Sequence, residues 1–177
     1  NLNDKSVLDS WNNNASAWIS TIENNEIESR KLVTNQAMID AVNSYSVTSI
    51  LDIGCGEGWL TREFSIRGIE AWGVDGVEEL IKKAQSMNCG KFITADYEEI
   101  VNKIPPTFFK KGGLLFDIKF DAAVCNFSLL GKETVDNLVH SIPNLLKDKK
   151  LLFIQTLHPV TGCGELPYTD GWREELW

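Results

Sequence analysis

The sequence predicts an α/β fold, with a doubly wound, mainly parallel sheet and a helical cap at the amino-terminal end. From residue 47 onward, short apolar runs alternate with amphipathic segments. Strands that are apolar throughout and separated by helices are typical of a parallel sheet covered on both faces. Right-handed crossovers then give the doubly wound order, in which ligands bind at the carboxyl ends of the strands. We expect one globular unit, because 177 residues with 43% hydrophobic content suffice for one core.

Residues 1–45 are predicted to form the helical cap, and residues 46–177 the domain that contains the sheet. Apolar side chains recur every three or four residues in the cap, at Leu8, Trp11, Ala15, Trp18 and Ile22. Asn12, Asn13 and Asn14 are weak helix formers, so we expect a break inside this stretch. A second helix is predicted from about residue 28 to residue 45.

The apolar runs and the turn residues place the elements of the second domain. Strands are predicted at residues 49–53, 71–75, 92–95, 122–126 and 151–157. Helices are predicted at residues 59–67, 77–87, 97–103 and 134–146. The segment 105–113 carries two prolines and two glycines, which predicts an irregular surface insertion or, alternatively, a loop beside the substrate.

Composition argues against several functions. The net charge is −8 and no window clusters Lys and Arg, so we expect no nucleic-acid partner. No apolar run approaches the length of about 18 residues that predicts a membrane span. The four cysteines form no C-x-x-C pair and only two histidines accompany them, so we expect no metal site. Free thiols in a reducing cytoplasm are the expectation, and the oligomeric state stays open.

The stretch ILDIGCGEG is the most informative part of the chain. An apolar strand carrying Asp52 leads into three glycines at positions 54, 56 and 58, and a predicted helix follows. A dinucleotide-binding loop has the spacing G-x-G-x-x-G/A. Here Trp59 occupies the position of the third small residue. The spacing therefore favours a smaller nucleoside-containing ligand over a dinucleotide.

Polar and aromatic residues also follow three further predicted strands. Asp75 ends the second strand, where a carboxylate can accept hydrogen bonds from two ribose hydroxyls. Asp96 and Tyr97 follow the third strand, where they can meet an adenine amino group and ring. Asn126 and Phe127 end the fourth strand and can meet a reacting centre. One such acid is often only a helix N-cap, but four features in order predict a site.

These motifs resemble those of the class I S-adenosylmethionine-dependent methyltransferases, which have a Rossmann-like fold. The resemblance covers residues 47–158 through LDIGCGEG, GVDG, ADY, FDAAVCNFSLL and LLFIQTLHP, and WNNNASAW, IESR and DGWREELW are similar to a small bacterial-type subgroup. It implies in-line transfer of a methyl group from S-adenosylmethionine to a small-molecule acceptor, with S-adenosylhomocysteine as product. The alternative is a module that binds either molecule without turnover. The glycine spacing disfavours an NAD-linked oxidoreductase.

The resemblance also implies a role for each part of the site. The glycine loop would approach the methionine part of the cofactor, the acid after the second strand its ribose, and the residues after the third strand its adenine. The residues after the fourth strand would lie at the methyl-donor end. The cofactor-binding residues implied in this way are Asp52, Gly54, Cys55, Gly56, Gly58, Trp59, Asp75, Gly76, Asp96, Tyr97, Asn126 and Phe127.

Several other residues keep two interpretations. His158 follows the fifth strand and is either a catalytic base or a hydrogen-bonded structural histidine. Arg30 either binds the cofactor carboxylate or forms an ordinary ion pair on its helix. Trp59 covers the cofactor or packs the first turn of its helix. Trp11 and Trp18 pack the cap on the sheet or line a pocket. Whether oxygen, nitrogen or carbon is methylated stays open.

The carboxyl-terminal part departs from the resemblance. Such enzymes usually continue into another helix and an antiparallel strand pair that completes a seven-stranded sheet. After the fifth predicted strand this chain has only about 20 residues, rich in Gly and Pro, so we expect that pair to be absent or truncated. A missing pair would leave an exposed sheet edge.

Overall fold

The computed structural model describes residues 4–103, 110–111, 114–115, 119–158, 160, 167 and 169. Its helices and strands alternate as the sequence pattern predicts. The amino-terminal part contains α1 (Asp4–Glu23), a π-helical turn (Arg30–Thr34) and α2 (Asn35–Asn43). The elements that follow are β1 (Ser49–Ile53), α3 (Trp59–Ile66), β2 (Glu70–Asp75), α4 (Glu78–Ser86), β3 (Lys91–Thr94), α5 (Tyr97–Lys103), β4 (Lys110–Lys111), β5 (Leu114–Leu115), β6 (Phe120–Asn126), α6 (Glu133–Leu145) and β7 (Leu146–Gln155).

Five parallel strands form the main sheet, in the order β3-β2-β1-β6-β7. The chain winds outward from β1 in one direction to β3 and then returns to place β6 on the other side of β1. This reversal makes the carboxyl ends of β1 and β6 the topological switch point, where open α/β sheets bind ligands. The α/β prediction is therefore confirmed, and no antiparallel strand joins this sheet within the described ranges.

Both faces of the sheet are buried under helices. Every residue of β1 is buried, because successive side chains point to opposite faces and each face packs against a helix layer. Ile50 packs with Val42 of α2 and Phe64 of α3 on one face. Leu51 packs with Leu138 of α6 on the other. The apolar composition of the strands follows from this double burial.

Helix α1 lies across the carboxyl edge of the sheet and does not break at the three asparagines. The amide nitrogens of Asn12 and Asn14 donate to the carbonyls of Leu8 and Ser10, at 3.0 and 2.8 Å. Ala15 is fully buried in a cluster with residues of the β2–α4 region. The expected break was wrong, because tertiary packing of the apolar stripe outweighs low helix propensity.

Three other segments differ from the sequence prediction by more than a shift of one or two residues at an end. The second helix of the cap is a π-helical turn followed by α2, so residues 28–45 are not one α-helix. Strand β7 was predicted at residues 151–157 but runs from Leu146 to Gln155. It begins early because α6 ends at Leu145, two residues after Pro143. Part of the insertion is regular, since β4 pairs antiparallel with β5. The rest of segment 105–113 lies outside the described residues.

Candidate functional site

The loops that follow β1, β2, β3 and β6 meet at the switch point. Gly54 takes a φ of +72°, and a Cβ there would overlap the Cβ of Ser128 in the loop after β6. The Ser128 hydroxyl donates to the carbonyl oxygen of Ile53 at 2.6 Å, and the Tyr97 hydroxyl donates to the carbonyl oxygen of Ser128. Ser128 therefore ties the glycine loop to the loops after β3 and β6, and only glycine fits at position 54.

The other end of the glycine loop is held from the opposite side. Gly58 takes a φ of +83° and is the N-cap residue of α3. A Cβ there would lie 2.5 Å from Cε1 of the Phe92 ring and 2.9 Å from Cβ of Ala84. The loop is thus pressed between β3 and α4 at one end and the loop after β6 at the other, which fixes its path.

The Asp75 carboxylate joins the glycine loop to the turn after β2. Its Oδ2 accepts the N–H of Gly56 and its Oδ1 accepts the N–H of Val77, both at 2.9 Å. Burial raises the pKa of Asp75, and the two N–H donors oppose that rise. Each carboxylate oxygen has a second lone-pair direction, so the group can accept two further hydrogen bonds from a ligand.

The ends of β2 and β3 lie side by side. A Cβ on Gly76 would be 3.3 Å from Cβ of Asp96. Asp96 caps α5: its Oδ1 accepts the N–H of Glu99 at 2.8 Å, and its own N–H donates to the Glu99 carboxylate at 3.3 Å. This reciprocal pair is a capping box. Asp96 therefore has a structural role, and its contact with adenine stays a prediction.

Asp52 and Cys55 lie behind the loop. Asp52 is only 1% exposed, and its Oδ2 accepts the Thr61 hydroxyl at 2.8 Å. Burial raises the pKa of Asp52 to about 7. The Cys55 side chain is buried against Ile81 and Phe92, and burial raises the pKa of its thiol. These two side chains support the loop from inside the protein, which favours a positioning role for Asp52, and the predicted contacts of Asp52 and Cys55 with the cofactor stay predictions.

Glu57 and Ser128 are site residues that the sequence analysis missed. Glu57 is 3% exposed, and its carboxylate lies 3.5 Å from Arg62. Burial raises the pKa of Glu57, whereas the charges of Arg62 and Arg30 lower it. The sequence signals were an acid inside the glycine loop followed five residues later by arginine, and a serine two residues after Asn126.

Arg30 reaches the loop from the cap. Its guanidinium carbon lies 5.0 Å from the centroid of the Trp59 ring and 5.9 Å from that of Trp18. Burial lowers the pKa of Arg30, and the charge of Glu57 raises it. Arg30 is therefore a cation held over aromatic faces at the edge of the site, its Nε donates to Oδ1 of Asn35 at 3.4 Å, and its binding to the cofactor carboxylate stays a prediction.

The tryptophans have packing roles. Trp11 and Trp18 meet edge to face at 5.4 Å and pack against Val77 and Leu80, so they hold α1 against the β2–α4 region, which agrees with the packing interpretation. Trp18 also borders the site, since its Nε1 would be 3.6 Å from a Cβ on Gly56. Trp59 packs against the cluster that contains Ile50 and Phe64.

His158 is exposed beyond the end of β7. Its Nδ1 accepts the N–H of Val160 at 3.2 Å, so in the neutral ring the hydrogen is on Nε2. A general base must turn its lone pair toward the proton it removes. The lone pair of His158 is directed at its own chain, which favours the structural interpretation, and the base role stays a prediction.

Strand β6 ends in the residues expected at the reacting centre. Phe127 takes a φ of +55°, which is rare for a bulky side chain, and its N–H donates to the Gln155 carbonyl at 2.7 Å. The side-chain oxygen of Asn126 is buried and accepts no hydrogen bond from the described residues. Strained backbone and an unpartnered polar atom are both common at functional sites.

The described residues contain no group of three or more His, Cys, Asp or Glu side chains arranged to hold a metal ion. Within the same part of the chain, every helix is too short or too polar to cross a membrane.

Comparison with known proteins gives a family match. The model of a family described as a methyltransferase domain matches residues 17–174. The ubiquinone biosynthesis O-methyltransferase of Glaesserella parasuis is 28% identical over 119 residues, which are 67% of this chain and 49% of that protein. Its counterpart in Chromobacterium violaceum is 26% identical over 125 residues, or 68% and 49% of the two chains. The chain therefore spans about half the length of these curated relatives.

Solved structures share the fold. A TehB-like SAM-dependent methyltransferase from Corynebacterium glutamicum aligns with a TM-score of 0.60 and 20% identity, over 79% of this chain and 71% of that one. The plantazolicin methyltransferase BpumL, in complex with a pentazolic desmethylPZN analog and SAH, aligns with a TM-score of 0.56 and 19% identity, over 94% and 67%. At such identities the likeness concerns the fold alone.

Replacing Gly58 by alanine is expected to destabilise the protein more than replacing Gly68. The two glycines have φ values of +83° and +84°, so both variants carry the same backbone strain, about 1–3 kcal/mol. Only the Cβ at position 58 meets the Phe92 ring, because the Cβ at position 68 has nothing within 4 Å. We expect Gly58→Ala to cost about 1–3 kcal/mol more in urea unfolding. Equal losses would mean that Phe92 does not constrain the loop.

Asp52→Asn is expected to stabilise the protein more at higher pH. The pKa of Asp52 is raised from 3.8 to about 7 in the folded protein. The stability penalty of ionising it is absent below pH 3.8, grows as the pH rises through this window, and is complete above about pH 7. Urea unfolding at about pH 5 and about pH 8 should show a gain from the neutral isostere that increases with pH. Asp9→Asn, at an exposed position, is the control, and a gain independent of pH would contradict this assignment.

Proposed function

The chain belongs to the methyltransferase family whose model it matches, and from that premise we propose that it transfers a methyl group from S-adenosylmethionine to a small-molecule acceptor. The family resemblance predicted from the motifs is thereby confirmed. One observation carries the proposal: the glycine loop and the Asp75 carboxylate are joined at the switch point of the sheet.

The residues at the strand ends fit this cofactor. The Asp75 oxygens hold backbone N–H groups on one side and have lone pairs left for two ribose hydroxyls. Asp96 lies beside the turn after β2, where the adenine would follow the ribose, and the Tyr97 hydroxyl lies 3.4 Å from a Cβ on Gly54 in the glycine loop. Arg30, held over the Trp59 ring, suits the carboxylate of the methionine part.

We propose that the protein acts mainly by aligning the methyl donor with the acceptor. When bound, S-adenosylmethionine would supply a methyl carbon bonded to a positively charged sulfur; a lone pair of the acceptor would form a bond to that carbon in line as the carbon–sulfur bond breaks and its electrons stay on the sulfur. Orientation of this kind can contribute about 7–11 kcal/mol. Phe127 and Asn126 are proposed to border the methyl group, since an aromatic face and an amide oxygen both favour positive charge.

Oxygen is the acceptor atom that the relatives favour. The curated proteins at 26–28% identity are named as O-methyltransferases of ubiquinone biosynthesis. We extend to this chain only the chemical class, a hydroxyl on a small organic molecule. A hydroxyl that is methylated releases its proton, to solvent or to a base.

The first test is binding of S-adenosylhomocysteine to the full chain, measured by isothermal titration, with NAD as the comparison ligand. Asp75→Ala is expected to weaken binding about 10- to 100-fold, because hydrogen bonds to a charged carboxylate are lost. Asp9→Ala, which removes an exposed acid on α1, should bind as the wild type does.

Unchanged affinity in folded Asp75→Ala would refute the ribose role. Tighter binding of NAD than of S-adenosylhomocysteine would refute the cofactor assignment. A screen of hydroxylated acceptors that follows release of S-adenosylhomocysteine then separates an enzyme from a module that binds without turnover.

A further inference from the structure

Two amide side chains stand next to each other where β6 and β7 end. Asn126 is the last residue of β6, Gln155 is the last residue of β7, and the two are partners in the parallel register. The side-chain oxygens of both are buried and accept no hydrogen bond from the described residues. Nothing in the sequence analysis had singled out Gln155.

An unpartnered buried carbonyl oxygen is costly. Leaving one without a donor costs about 1–3 kcal/mol, and the great majority of buried polar atoms in proteins are paired. Two such oxygens at adjacent positions of neighbouring strands, at the binding edge of the sheet, are therefore available to accept hydrogen bonds from a ligand.

The pair faces the cap side of the sheet. Alternate residues of a strand share a face, so Asn126 lies on the face of Val124 and Gln155 on that of Phe153. Val124 and Phe153 both pack in the cluster with α2 and Trp59. Thr34 precedes α2 and carries a third buried oxygen without a partner among the described residues. The pair is thus on the same face as Trp59, over which Arg30 lies.

We propose that Asn126 and Gln155 bind the methyl acceptor through two adjacent, uncharged hydroxyl groups. The inference rests on the proposed function and adds the chemistry of the acceptor and the residue Gln155. Amide carbonyl oxygens are neutral acceptors, which match O–H donors without requiring a cation. Neighbouring strands lie about 4.8 Å apart, so two amide oxygens can each take one hydroxyl of a vicinal pair. The positive φ of Phe127 changes the chain direction directly after Asn126, at the carboxyl edge where the sheet binds ligands.

The test uses the full chain saturated with S-adenosylhomocysteine, and catechol as the probe. Its dimethyl ether, which has the same ring without O–H donors, is the matched ligand. Ligand-detected NMR should show catechol binding and at least about tenfold weaker binding of the ether. Asn126→Leu and Gln155→Leu should each weaken catechol binding about tenfold or more, and the affinity of Gln155→Leu for S-adenosylhomocysteine should change less than about twofold.

Two further variants complete the design. Asn137→Leu removes an exposed amide from α6 and should bind catechol as the wild type does. Gln155→Glu has a side chain of the same length that still ends in an acceptor oxygen, so it should keep catechol binding. This variant is measured in place of Gln155→Leu if the leucine variant does not fold, and a loss of catechol binding in it would contradict the proposal.

The proposal would be overturned if catechol does not bind the loaded wild-type protein, if the ether binds equally, or if the leucine variants bind catechol normally. A tenfold loss of S-adenosylhomocysteine affinity in folded Gln155→Leu would assign Gln155 to the cofactor instead. Failure of wild-type protein to bind S-adenosylhomocysteine would instead refute the proposed function, a result that the titration gives independently of catechol.

Discussion

The hydrogen bonds from Gly56 and Val77 to one carboxylate, that of Asp75, are the interaction on which the site depends. They join the loop after β1 to the turn after β2. Ser128 and Tyr97 join the loops after β6 and β3 to the same place. Four loops that are far apart in sequence thus converge on one edge of the sheet. A parallel sheet offers only this edge for such convergence, because every crossover returns the chain to the opposite edge before the next strand.

Three carboxyl groups are buried around the glycine loop, and burying their charge costs free energy. Burial raises the pKa of Asp52, Glu57 and Asp75. Each carboxylate has its own compensation: the Thr61 hydroxyl for the first, Arg62 for the second and two N–H groups for the third. Buried acids of this kind add little net stability, and what these three do in the structure is to hold the loop and its neighbours in position. Asp75 can do two things at once: it holds the loop through two N–H groups, and its oxygens still have lone pairs for a ligand.

The sequence predicted what depends on local pattern. The predicted bounds of strand β1 agree with the observed ones, because its apolar run is bounded by turn residues. The same turn residues, the glycines that follow the strand, predict the loop. Long-range contacts could not be predicted. The asparagines of α1 indicated a break because the packing of Ala15 is invisible in a local window. Ser128 and Gln155 were missed for the same reason, since their roles come from neighbours in other strands.

The most direct test of the central claim is a backbone amide NMR titration of the labelled protein with S-adenosylhomocysteine. If the cofactor binds the joined loops, the amide signals of Gly56 and Val77, whose N–H groups are held by Asp75, should shift with the same saturation curve. The amides of Thr48 and Ser49, which Asp121 holds at the amino edge of the sheet, should not move. Shifts concentrated at that amino edge, or none at Gly56 and Val77 at saturation, would contradict the account.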